Sequence, residues 1–137
     1  NVPGFDVTAV HSETLESFPI QVKASTKGAL VQSTIDKWCV HSLDKDNYQN
    51  IGKPLKLKHP EMIWIMVRLG MEGIDGARFF ICTEAQIQSR IIDRFTAFMK
   101  KHGNRRPGGG GSTQAILNLS DLIDYENNWI ILEQRVK

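Results

Sequence analysis

Residues Met62 to Leu69 read MIWIMVRL, a run interrupted only by Arg68. It is too short for a typical helix, and it is rich in residues that favour extended backbone. A strand with one solvated face alternates apolar with polar residues, so a near-continuous apolar strand needs cover on both faces. The run therefore predicts a central strand covered on both faces. GMEGIDG, Gly70 to Gly76, follows as a turn, and RFFIC, Arg78 to Cys82, as the next strand, so the two strands form a hairpin.

The remaining elements agree with that frame. Pro3-Gly4 is a turn pair; after it Phe5, Val7 and Ala9 alternate with Asp6, Thr8 and Val10, a period of two. A polar connection, Ser12 to Ser17, leads to a second alternating segment from Phe18 to Ala24. Ile20, Val22 and Ala24 form one face of it, Gln21 and Lys23 the other. Lys27 to Leu43 admits a strand or a weak helix, and Asp44 to Lys58 reads as polar loop. Thr83 opens a helix with Gln86 as its capping-box partner. Ile87, Ile91, Phe95 and Phe98 give that helix an apolar stripe, and Gly103 stops it after Lys100, Lys101 and His102. NRRPGGGGST is a flexible basic loop, natural or resembling a synthetic linker. Ala115 to Leu119 reads as a short strand, Ser120 caps a helical turn to Tyr125, and Trp129 to Leu132 is a strand or an apolar plug. The expectation is an α/β (α+β) domain, a mixed β-sheet flanked by helices, filling the single unit 1–137. The abrupt start at Asn1 reads as that of an N-terminally incomplete fragment.

At 137 residues and 41% hydrophobic, the chain can form a core without covalent staples. A net charge of +2 does not by itself mark a nucleic-acid binder. Cys39 and Cys82 lack metal-ligand spacing and read as buried free thiols of a reducing compartment. No apolar run approaches the ~20 residues of a membrane span, which points to the cytoplasm and no membrane partner.

Asp6, Gln21 and Lys23 do not fit a purely structural pattern. If Ser12 to Leu15 is the loop of a hairpin, His11 faces Glu16 and Asp6 lies opposite Gln21. Opposed side chains share a face with Cβ atoms about 4.5–5.5 Å apart, and Lys23 lies one diagonal step away. A one-residue slip would oppose Asp6 to Ile20 and bury a carboxylate, which disfavours that register. A carboxylate and an amide oxygen are hard ligands suited to Mg²⁺, and an ammonium beside them can orient water or stabilise charge on a phosphate. The bland alternative is an ion pair on a half-exposed sheet face, which stabilises by about 0–1 kcal/mol.

GFDV followed by IQVK resembles the core motif of the PD-(D/E)xK nuclease superfamily, with its restriction-endonuclease-like fold. MIWIMVRL, RFFICTE and DLIDYENNWIIL extend the likeness to small bacterial domains built around D…QVK. The resemblance implies a metal-dependent nuclease in which Asp6, Gln21 and the Val22 carbonyl hold Mg²⁺ or Mn²⁺, and Lys23 assists the attacking water. Gln21 stands where the family more often has Glu or Asp, and the helix that carries a further acid before the aspartate strand is lacking here. The substrate implied is nucleic acid, DNA before RNA, with a homodimer or a fused partner domain left open. The rival reading is a catalytically inactive module of the same fold that binds nucleic acid or protein.

Other residues carry weaker signals. Ser25, Thr26 and Lys27 follow the motif and either touch a phosphate or simply leave the strand. Lys100, Lys101, Arg105 and Arg106 form either a DNA-facing patch or a solvated helix end. Trp38, Trp64 and Trp129 read as core, and His11, His41, His59 and His102 show no catalytic spacing.

Overall fold

A computed structural model describes residues 6–71 and 73–135. The turn expected at Pro3-Gly4 lies outside them. The central element is a four-stranded mixed sheet of β1 (Val7–Val10), β2 (Ser17–Ser25), β6 (Ile63–Gly70) and β7 (Gly73–Thr83), in that spatial order. β1 and β2 are antiparallel, β2 and β6 parallel, and β6 and β7 antiparallel. Between β2 and β6 the chain forms β3 (Val31–Thr34), a single 3₁₀ turn, and the hairpin of β4 (Cys39–Leu43) and β5 (Gln49–Pro54). After β7 come helix α1 (Glu84–Lys101), β8 (Gln114–Leu117), a 3₁₀ segment Leu119–Tyr125 and helix α2 (Ile130–Arg135). β8 pairs antiparallel with β3 in a separate ladder. The chain is α+β, with a mixed sheet and helices packed on it.

The apolar run MIWIMVRL lies in β6 from Ile63 onward, between β2 and β7. Trp64 and Met66 lie in one hydrophobic cluster with Phe80 and Cys82 of β7 and with Ile87, Ile91, Phe95 and Met99 of α1. Ile63 lies in a second cluster with Ile20 and Ile81, against which Ile131 and Leu132 of α2 pack. Each fully buried aliphatic or aromatic side chain contributes about 1.5–3 kcal/mol, so the double-sided burial of β6 anchors the sheet. Thr83 closes the expected capping box, its hydroxyl accepting from Gln86 N at 3.2 Å while Gln86 Oε1 accepts from Thr83 N at 2.9 Å.

Several expectations need correction. Asp44 to Lys58 is not all loop, because Gln49–Pro54 pairs with β4 and buries Gln49. Pairing with a neighbouring strand supplied order that the local composition did not signal. The turn between β6 and β7 is shorter than Gly70 to Gly76, since Gly70 already pairs with Gly73 across an irregularity in the ladder. Met99 rather than Phe98 completes the buried stripe of α1, and Phe98 is exposed. Trp129 to Leu132 is neither strand nor plug: α2 begins at Ile130 and turns Ile131 and Leu132 onto the sheet.

Candidate functional site

The β1–β2 hairpin has the register read from its sequence. His11 N donates to Glu16 O at 2.8 Å, Leu15 N donates back to His11 O at 2.9 Å, and Leu15 takes φ 61° to close the loop. Val7 pairs with Ile20 and Ala9 with Phe18, which sets Asp6 against Gln21. Asp6 Oδ2 accepts from Gln21 Nε2 at 2.8 Å and from Val22 N at 2.9 Å. The carboxylate thus ties the open end of the hairpin together. It satisfies a backbone N–H that β1, beginning at Val7, no longer pairs.

Parallel pairing sets Gln21 beside Trp64, Lys23 beside Met66 and Ser25 beside Arg68. Paired residues share a face, so the trio lies on the face that β6 and β7 present to α1. Gln21 is half-buried and Lys23 exposed, because the site sits at the β1–β2 margin of the sheet. The Lys23 ammonium lies 5.9 Å from the centre of the Trp64 ring, within cation–π range. Trp64 meets Trp38 edge-on with centroids 6.0 Å apart, which fixes the ring under the lysine. Sequence reasoning placed Trp64 in the core, as it is, and missed its contact with Lys23. Trp64 lies two residues before Met66, the register partner of Lys23, but parallel register across an intervening subdomain has no local sequence signal.

For a hard cation, the donor types here are suitable: the second oxygen of Asp6, an amide and the Val22 backbone carbonyl. Two features limit them. The Gln21 amide now presents its NH₂ to Asp6, so its oxygen faces a cation only after the amide turns over. In addition, no group of three His, Cys, Asp or Glu side chains able to hold a metal occurs among the described residues.

The remaining candidates divide. Ser25 ends β2 on the face of Gln21 and Lys23, and Lys27 follows in the exposed connection to β3. Lys100 and Lys101 are exposed at the end of α1. Arg105 lies over Tyr48, with 5.4 Å between guanidinium and ring centre. Arg106 covers Phe95 and Phe98 at 5.6 and 5.4 Å and donates to the carbonyls of Ser112 and Gln114. Burial pulls its guanidinium below the ordinary arginine value. Arg106 therefore fastens the glycine-rich loop to α1. Among the described residues no hydrogen bond, ion pair or aromatic contact joins this basic end to Asp6, Gln21 or Lys23.

Both thiols are buried and free, and burial pushes the Cys82 thiol up to about 12, which leaves it unreactive at neutral pH. Among the described residues no helix is long and apolar enough to cross a membrane. No known protein family, curated protein or solved structure matches the chain.

Proposed function

We propose that the chain is a nuclease-like domain of the PD-(D/E)xK type, with a restriction-endonuclease-like fold, that hydrolyses nucleic-acid phosphodiester bonds with the help of Mg²⁺ or Mn²⁺. The observation that carries the reading is the register: Asp6 and Gln21 are in direct contact on one sheet face, and Lys23 stands one step further along that face. Helix α1 follows β7 and packs on that same face.

In this reading Asp6, Gln21 and the Val22 carbonyl would hold the cation, which would supply Lewis-acid stabilisation of the phosphate and make water easier to deprotonate. Gln21 turns its amide so that oxygen rather than NH₂ faces the metal side. Asp6 keeps its Val22 N–H bond through one oxygen, which aims the other outward. Lys23 offers its ammonium to a non-bridging phosphate oxygen, where negative charge grows during attack. The Trp64 ring holds that ammonium near the face. Trp64 is thus a positioning residue.

The test is Mn²⁺ and Mg²⁺ titration by calorimetry, followed by cleavage of linear and supercoiled DNA and of RNA, with Asp6→Asn and Lys23→Ala variants. Metal binding lost with Asp6→Asn, and cleavage lost with either, supports the reading. Folded protein that binds no metal at millimolar concentration overturns it. That outcome favours the second reading, a module of this fold that binds nucleic acid or protein without cleaving. One observation favours the second reading: Asp6 Oδ2 already accepts from Gln21 and Val22, which leaves one carboxylate oxygen of Asp6 for a cation.

A further inference from the structure

Hydrogen-bond accounting on the α1-facing side of β2 and β6 leaves donors without acceptors. The Ser25 hydroxyl, the Arg68 Nε–H and the Trp64 Nε1–H are buried, and none has a partner among the described residues. Buried groups of this kind are normally paired, and each unpaired one is costly. Ser25 and Arg68 are register partners across the β2–β6 ladder. Of the other arginines, Arg78, Arg90, Arg94 and Arg135 all meet a carboxylate, whereas Arg68 meets none among the described residues. Among the described residues its Nη2 reaches only the Gly28 carbonyl, which folds the Thr26–Ala29 connection over it. Gly28 has φ +77° and open space around its Cβ position, so nothing packs against the connection at that point.

We propose that Ser25 and Arg68 form an anion subsite that takes a backbone phosphate of the nucleic acid, the one next to the phosphate that Lys23 faces. Alternate residues on a strand are about 6.6–6.8 Å apart, so Ser25 lies one such step beyond Lys23 on the same face. The phosphate accepts from the Ser25 hydroxyl and from Arg68 Nε, two of the three groups without partners among the described residues, and the Thr26–Ala29 connection moves aside to admit it. The inference rests on the nuclease-like reading for its choice of ligand, and on the unpaired donors for its position.

The first experiment follows the arginine Nε–H resonances of the whole chain by NMR during titration with inorganic phosphate at constant ionic strength. A saturable shift at Arg68 is expected, with affinity reduced in Ser25→Ala; in Arg68→Lys, which removes that resonance, binding followed at the Ser25 backbone amide is expected to weaken about tenfold or more, since hydrogen bonds to charged groups are worth that much. A thermal melt confirms that each variant folds, and Ser25→Ala changes little else. No shift at Arg68, or shifts confined to Arg105 and Arg106, overturns the proposal. The second arm uses a short thymidine oligomer. Tighter binding than inorganic phosphate, with the same dependence on Ser25 and Arg68, identifies the backbone as the source; binding of free phosphate alone overturns the nucleic-acid assignment. The two readings fail separately. Cleavage that needs Asp6 but keeps its KM in Ser25→Ala and Arg68→Lys sinks this subsite alone. Phosphate bound at Arg68 by a protein that binds no metal sinks the nuclease alone.

Discussion

Removing the Asp6 side chain measures how far the candidate site is also a structural joint. Asp6 Oδ2 accepts two hydrogen bonds, from Gln21 Nε2 at 2.8 Å and from Val22 N at 2.9 Å. A buried hydrogen bond to a charged group stabilises by about 1.5–3 kcal/mol. Both bonds here are part-buried, so roughly half of the summed value, about 2 kcal/mol, is the expected cost of Asp6→Ala. For a domain of this size that corresponds to a melting temperature lower by about 6–8 °C. Asp6→Asn behaves differently. An amide oxygen in the Oδ2 position still accepts from both Val22 N and Gln21 Nε2, and the new NH₂ takes the place of Oδ1, which bonds to neither, so the cost stays below about 1 kcal/mol. The assay is thermal unfolding by circular dichroism in chelator, where metal contributes nothing. A melting temperature for Asp6→Ala within a degree or two of the unaltered protein would refute the structural role. An equal loss in Asp6→Asn would show that charge, not hydrogen-bond geometry, holds the hairpin end.

Thr83→Ala removes the hydroxyl that accepts from Gln86 N and is expected to cost about 1 kcal/mol in denaturant unfolding, with the slope unchanged. Gly70→Ala places a Cβ against the Asp75 carbonyl across the β6–β7 hairpin, and the overpacking should cost about 1–3 kcal/mol in the same assay. The hydrogen bond and charge of Arg78 hold the Glu126 carboxyl below its ordinary value of 4.5. A depressed folded-state value gives stability that is present above the unfolded value and lost as pH falls through the folded one. The unaltered protein should therefore lose more melting temperature on acidification below about pH 4.5 than Glu126→Gln does. Parallel curves would show that the pair, open to solvent, contributes nothing.

The candidate site was legible in the sequence because a hairpin is local. A short loop fixes which residues face one another, and burial of Ile20 and Phe18 fixes which face is apolar, so the Asp6–Gln21 contact followed from counting. The capping box at Thr83 and the double burial of MIWIMVRL were legible for the same reason: each depends on residues within a turn or a strand of one another. Tertiary structure alone decided the rest. β2 and β6 are parallel and separated in sequence by another subdomain, so no turn specifies that Gln21 meets Trp64 or that Ser25 meets Arg68. The order of Gln49–Pro54 comes from β4, and the polar segment carries no periodicity to announce it. Trp129 to Leu132 has a short apolar pattern that suits strand or helix, and only the uncovered face of the sheet selected the helix. Local chemistry wrote the carboxylate and the amide into the chain. The parallel ladder, whose register depends on packing both faces of β6 at once, placed a tryptophan beside the amide and an arginine beside Ser25.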